Sequence, residues 1–409
     1  MQSLCELYKT GRGPSSSHTM GPERAIKTLK ERFPKADLFK VTLYGSLALT
    51  GEGHGTDTVL KKTASPAKCE VLWDAVSPCP VHPNTMDVEI FRGGEVLDKK
   101  RVYSVGGGSI VFDGEKKPYV KNDVYPHKTY TEISDYCKAH KLRLWEYVKE
   151  FEGEGVFDYL LTVWERMKLT IHKGLTTSGT LPGVLGTKRR AQKLYNQRHI
   201  DESAQTRENR LVCSYAFATS EQNASGGIIV TAPTCGACGV VPSVLKYMQE
   251  TRGFSDTQIV RALAAGGIIG NIIKTNASIS GAECGCQAEI GSACSMASAA
   301  LAELFEMGLK QIEYAAEVAM EHHLGLTCDP IAGLVQIPCI ERNAVAAMRA
   351  INAVSLANFL TDTRKITFDV IVKTMYNTGK DLLNSYRETS SGGLAKFYEL
   401  PQKKPTKRD

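Results

Sequence analysis

The sequence has 409 residues, 42% of them hydrophobic, with 50 Lys and Arg against 44 Asp and Glu and a formal net charge of +6. That length allows two or three domains and at least one large core. Acidic and basic residues alternate with no dense basic helix or basic stripe interleaved with aromatics, which speaks against a nucleic-acid partner; the basic "KKPTKRD" at 403–409 reads as a solvated tail.

The opening "MQSLCELYKTGRGPSSSHTMGPERA" holds no uninterrupted apolar core, so no secretory signal is expected. No stretch reaches the roughly 18 uncharged apolar residues of a membrane span. A cytosolic location is the expectation, and there 12 cysteines are not expected to form disulfides. Residues 1–125 read as a small α+β domain. "ERAIKTLKERF" (23–33) has helical periodicity, whereas "FKVTLYGSLAL" (39–49), "CEVLWDAV" (69–76), "MDVEIFR" (86–92) and "KRVYSVGGGSIVF" (100–112) look like strands. Residues 113–130, polar with two prolines, read as a linker. Helical periodicity then recurs over 132–152, 155–173, 241–252, 256–274, 293–309, 311–323, 341–360 and 367–386. The prediction is a large, almost all-α domain over 131–400.

Cys5, Cys69, Cys79, Cys137 and Cys213 stand alone, and isolated thiols usually pack as small hydrophobes. Cys235 and Cys238 form C-x-x-C, a spacing of redox and zinc sites, but no second ligand pair lies nearby and close packing is the better reading. Cys294 sits within a helix beside Ala and Met and reads as core. Cys328 heads the irregular "CDPIAGLVQIP", Cys339 directly precedes a long helix, and Cys284 and Cys286 share a glycine-bounded turn. Only one of that last pair can easily face a cluster. Three loops, two of them at helix starts, suit an anionic thiolate site. Three thiolates leave one position open, which favours a [4Fe–4S] cluster acting as a Lewis acid over a closed zinc site.

The motifs resemble the iron–sulfur-dependent L-serine dehydratases (L-serine ammonia-lyases). "GPSSSHTMGP" (13–22) and "LYGSLALTGEGHGTD" (43–57) look like pieces of that family's small domain. "LPGVLGTKRRAQ" (181–192), "TAPTCGACGVVPSVL" (231–245), "KTNASISGAECGCQAEIGSACSMA" (274–297), "CDPIAGLVQIPCIERNAVAAMRAINA" (328–353) and "YRETSSGGLA" (386–395) resemble its helical domain, in order. The resemblance implies cluster ligands at Cys286, Cys328 and Cys339 and brings His54 into the catalytic site. It also implies a small domain similar to the allosteric substrate-binding domain of some phosphoglycerate dehydrogenases. The chain departs from the family at Cys235-Gly236-Ala237-Cys238, commonly Asn-Gly-Ala-Ala, and has no cysteine after Cys339, where many members end in one.

Serine dehydration needs removal of a weakly acidic Cα proton and departure of hydroxide. His54, between glycines, is the candidate base, and His18 can share the site. Ser15, Ser16, Ser17 and Thr19, at a helix start, suit a carboxylate. Lys274 is a second candidate base if burial lowers its pKa, and Lys188, Arg189 or Arg190 can neutralise substrate or cluster. The site is expected between the domains, and a homodimer is the expected assembly. L-Serine is the expected substrate, with threonine and cysteine as alternatives. Two rival readings remain. A pyridoxal-phosphate dehydratase would need a phosphate cup that "VGGGSI" (105–110) does not supply. A non-catalytic iron–sulfur or amino-acid sensor would not need the many Gly/Ser/Asn motifs of the helical domain.

Overall fold

The computed structural model describes residues 1–115, 123–197 and 200–399; part of the expected linker and the "KKPTKRD" tail lie outside them. Five strands form the small sheet: β2 (Leu38–Tyr44), β3 (Lys68–Asp74), β4 (Thr85–Arg92), β5 (Glu95–Ser104) and β6 (Ile110–Phe112), in the order β3-β2-β4-β5-β6. Only β2 and β3 run parallel. Helices α1 (Gly21–Arg32), α2 (Gly45–Thr50) and α3 (Thr56–Ala64) complete this part. Ala25, Ile26 and Leu29 of α1 and Leu60 of α3 bury against Phe39, Val41, Val88 and Ile90, the alternate residues of the strands beneath.

Two expectations change here. The run 39–49 is strand only to Tyr44, because Gly45 turns the chain at a φ of +50° and Ser46 N donates to Pro83 O, starting α2. The run 100–112 is two strands, because Gly106, Gly107 and Gly108 all take positive φ, which glycine alone adopts readily.

The rest is helical: α4 (Tyr130–His140), α5 (Leu144–Glu152), α6 (Gly155–Thr176), α7 (Ala191–Asn196) and α8 (Ala204–Ala224) come first. Then follow α9 (Val240–Arg252), α10 (Asp256–Asn276), α11 (Gly281–Cys284), α12 (Ile290–Leu304), α13 (Leu309–Glu321), α14 (Cys339–Leu360), α15 (Phe368–Asp381) and α16 (Gly393–Phe397). Every helix expected here is present, with 132–152 split where Lys141 takes a left-handed φ of 57°. Helix α10 forms the axis, capped by Ser255 with Gln258 in a capping box and buried along nearly its whole length against α12, α6 and α5. Cys339–Thr363 is long and apolar enough, by length and composition, to cross a membrane; here it packs against α8, α12 and α13.

The N-terminal dozen residues belong to this helical core. Met1, Leu4, Leu7 and Tyr8 are buried in it, and β1 (Thr10–Arg12) pairs antiparallel with β7 (Ile228–Val230). Tyr8 Oη donates to Leu263 O at 3.0 Å.

Candidate active site at the domain junction

The crossover from β2 to β3 carries α2, the turn 51–55 and α3, so His54 lies just beyond the carboxyl end of a parallel strand, a common place for ligands. Gly53 lets that turn touch the helical part: a Cβ there would stand 2.8 Å from both Ala332 O and Gly333 O. Gly55 adopts a φ of +64°. A second turn, Ser16–Met20, braces the first. Thr19 Oγ1 donates to His54 O at 3.0 Å and Thr56 Oγ1 donates to His18 O at 2.7 Å, and the His18 and His54 rings stack 4.4 Å apart.

Carbonyl acceptors fix both tautomers. His54 Nδ1–H donates to Thr50 O at 2.8 Å, which leaves a lone pair on Nε2, buried and without a partner. His18 Nε2 lies 3.1 Å from Ser46 O, so its Nδ1 is the acceptor and faces Ser15 Oγ at 3.3 Å. Burial holds the His54 pKa down at about 4, and burial with His54 alongside holds His18 well below the usual imidazole range. His54 is therefore a neutral imidazole with an open lone pair.

His54 shares its surroundings with three cysteines. Cys286, Cys328 and Cys339 line one small cavity with His54, Ser15, Gly236, Glu289 and Glu388. Cys284 points away and packs against Gly379 of α15, while Cys294 donates to Ala346 O at 3.2 Å inside the helical core. Cys235 contacts Met20 Sδ at 3.4 Å and, with Cys238, forms a buried apolar cluster. All 12 cysteines are free of disulfides.

Each cysteine loop is tied down separately. Cys328 N donates to Tyr386 O and Glu388 N donates to Cys328 O, both at 2.8 Å. Asn343 Nδ2 donates to Cys339 O and to Gly236 O, clamping the start of α14 to the 235–239 loop. Cys286 is pulled down to about 6, first by the hydrogen bond from the Cys328 thiol and then by Arg342. Cys328, which donates that bond, is pushed up, as burial pushes Cys339 up. The cation beside the thiols is thus Arg342, anchored by donation to Thr327 O at 2.6 Å.

Whether this chamber suits a cluster can be judged from its donors and walls. Three soft thiols converge from separate loops, a cation offsets their charge, and two walls are bare glycine. A Cβ at Gly281 would stand 3.1 Å from Cys328 Sγ, and one at Gly236 3.1 Å from Glu289 Oε2. The residues fit a thiolate-held cluster. His54 also lines the large cleft of about 1680 Å³ between the two parts of the chain, so it stands between that cleft and the cysteine cavity.

The other sequence candidates divide. Ser15 lines the cavity and Thr19 braces His54; Ser16 and Ser17 are buried in the same turn, Ser17 O accepting from Ser104 Oγ. Lys274 is elsewhere: its Nζ donates to Gln2 Oε1 at 2.9 Å and Glu6 O at 3.0 Å, lining a different cavity. Burial lowers it to about 7, as a base would need, but it lines no part of the cysteine cavity. Lys188 bridges to Thr180, Arg189 donates to Ser225 Oγ at 2.5 Å, and Arg190 pairs with Glu341 at 2.7 Å; none lines the cysteine cavity. Sequence reasoning passed over Glu289, Glu388 and Arg342, each inside a quoted motif without a spacing that marks it.

Fold and site together define a two-part α/β and helical protein with a thiol-rich centre where the parts meet. The chain belongs to the serine dehydratase family. The family described as "Serine dehydratase alpha chain" matches residues 113–395 and that described as "Serine dehydratase beta chain" matches residues 3–63. L-serine dehydratase 1 of Escherichia coli (strain K12) is 39% identical, covering 97% of this chain and 99% of its own. L-serine dehydratase of Haemophilus influenzae is 40% identical over 97% and 99%, and that of Streptomyces coelicolor 38% over 96% and 98%.

Proposed function

We propose that the protein converts L-serine to pyruvate and ammonia in the cavity between its two parts, residues 1–125 and 131–400, with a [4Fe–4S] cluster held by Cys286, Cys328 and Cys339. The convergence of three thiols on the unpartnered Nε2 of His54 carries this reading. When bound, the cluster's open iron supplies Lewis acidity that makes the substrate hydroxyl a better leaving group. His54 Nε2 accepts the Cα proton, and Thr50 O holds the ring in the tautomer that keeps this atom free. His18 stacks on that ring and Thr19 fixes its backbone, which limits rotation of the base. Ser15 lines the cavity wall, where its hydroxyl can turn from His18 Nδ1 to the substrate carboxylate. Arg342 stabilises the thiolates, and the closed walls exclude water from the Cα proton transfer.

The test is pyruvate formation from L-serine by anaerobically cluster-loaded protein, with iron and sulfide assayed on the same sample. Pyruvate with iron and sulfide bound supports the reading. Bound cluster without pyruvate supports a sensor instead, and pyruvate formation without iron overturns the cluster assignment.

A further inference from the structure

The loop carrying Glu388 is fastened to both parts of the chain. Its backbone N–H donates to Cys328 O at 2.8 Å, and its own carbonyl accepts from Ser46 Oγ of the small domain at 2.7 Å. Glu388 has a φ of 57°, in the left-handed region that costs a non-glycine residue on the order of 1 kcal/mol or more. Any residue could make those backbone bonds. The side chain requires a separate reason, because it is buried and, among the described residues, no Lys or Arg pairs with it.

Its carboxyl faces the histidines. Oε1 lies 3.5 Å from His18 Nδ1, which also faces Ser15 Oγ, and 4.0 Å from the unpartnered His54 Nε2. One oxygen therefore lies against the stacked pair, while the backbone N–H of the same residue is joined to a cysteine. Such contacts are often long without substrate and tighten when it binds.

We propose that Glu388 is a positioning residue that sets the register of His54 against Cys328: its backbone holds the cysteine loop and its carboxyl packs against both imidazoles. The inference rests on His54 as the base. If the carboxyl is removed, the rings keep Thr50 and Ser46 but lose their reference to the cysteines, and a displacement near 1 Å costs about 10²-fold in rate.

The test uses anaerobically cluster-loaded protein carrying Glu388→Ala, Glu388→Gln or Glu388→Asp. Iron content, kcat, KM and the isotope effect on kcat with α-deuterated L-serine are measured. Glu388→Ala is expected to keep its iron, to lose roughly 10- to 100-fold in kcat with a smaller change in KM, and to show a larger isotope effect as proton removal becomes slowest. Glu388→Gln, equal in shape and able to face both rings, should recover most of kcat and the wild-type isotope effect. Equal loss in the Ala and Gln variants overturns positioning in favour of proton donation. Loss of iron with an unchanged isotope effect shows a structural role only, and wild-type kcat in Glu388→Ala shows no role. Should Glu388→Ala fail to fold, Glu388→Asp decides: drawn back by one methylene, it should raise the isotope effect with iron retained, and wild-type behaviour overturns the proposal. Failure of the functional reading itself looks different, since the unmodified protein would then make no pyruvate.

Discussion

Cys284 and Cys286 are two residues apart on a turn where Gly285 has a φ of 73°, and they face opposite sides of it. Replacing Cys286, Cys328 or Cys339 by Ser is expected to remove most of the iron and nearly all pyruvate formation, since a three-ligand site has no spare donor. Cys284→Ala and Cys294→Ala should retain the iron, and full iron in Cys328→Ser would refute the ligand set. His54→Ala should keep the visible absorption of the loaded protein while kcat/KM falls roughly 10²–10⁴-fold; an unchanged kcat/KM would pass the base role to another group. Lys274→Met tests the opposite expectation. Lys274 lines no part of the cysteine cavity, so turnover should stay within about twofold of wild type, well short of the loss of a general base. The folded-state pKa of Lys274, about 7, lies below its ordinary 10.5, so the unfolded chain binds the extra proton between those pH values. The cost of burying the ammonium is full below pH 7 and fades as pH rises towards 10.5. Any Tm gained by Lys274→Met should therefore be greatest at or below pH 7 and shrink on the alkaline side. A gain that grows with pH would contradict the assignment. Loop and helix-start contexts narrowed the candidate cysteines to Cys328, Cys339 and one of Cys284 and Cys286, and only the family resemblance chose Cys286. Lys274 misled because burial and a base-like pKa say nothing about where a group sits, and Glu388 went unmarked because the histidines its carboxyl faces are 334 or more residues away along the chain.

At the scale of elements, strong periodicity gave the amphipathic helices and the outer strands, but not α8. That helix packs against α6, α7, α9 and α14, so small and apolar residues surround it and no single face stands out. The second half of 39–49 differs for a related reason: "GSLAL" is short, and the positive φ of Gly45 with the long-range bond from Ser46 to Pro83 turns it out of the strand. The crossing of α6 and α8 depends on one missing side chain, because a Cβ at Gly174 would collide with the backbone of Ala218. Gly174→Ala is expected to cost about 1–3 kcal/mol of stability. Gly155→Ala, in the first turn of the same α6 with nothing within 4 Å of the new Cβ, should be neutral or stabilising by about 0.4–1 kcal/mol. Calorimetric melting of the two variants makes the comparison, and equal Tm values would contradict the packing account.

For the whole molecule, the change from α+β to helical texture was legible from periodicity, whereas the expectation of a site between the parts came from placing His18 and His54 on one part and the cysteines on the other. The first nine residues were not recognised as belonging to the helical core, since four apolar residues in a short segment carry no period. Burying Met1, Leu4, Leu7 and Tyr8 contributes on the order of 6–12 kcal/mol, comparable with the roughly 5–15 kcal/mol of an entire folded domain. Deleting residues 1–9 is therefore expected to leave the helical part aggregated or strongly dye-binding even though the deletion touches no cysteine; a soluble, iron-loaded deletion variant would refute this. The same strap bears on synthesis. Tyr8 and Leu263 are 255 residues apart, and at about 5–20 residues per second the ribosome needs roughly 13–50 s to make the second after the first. That apolar segment thus waits, unburied, until the central helix arrives, and throughout that interval it is a ready handle for a chaperone.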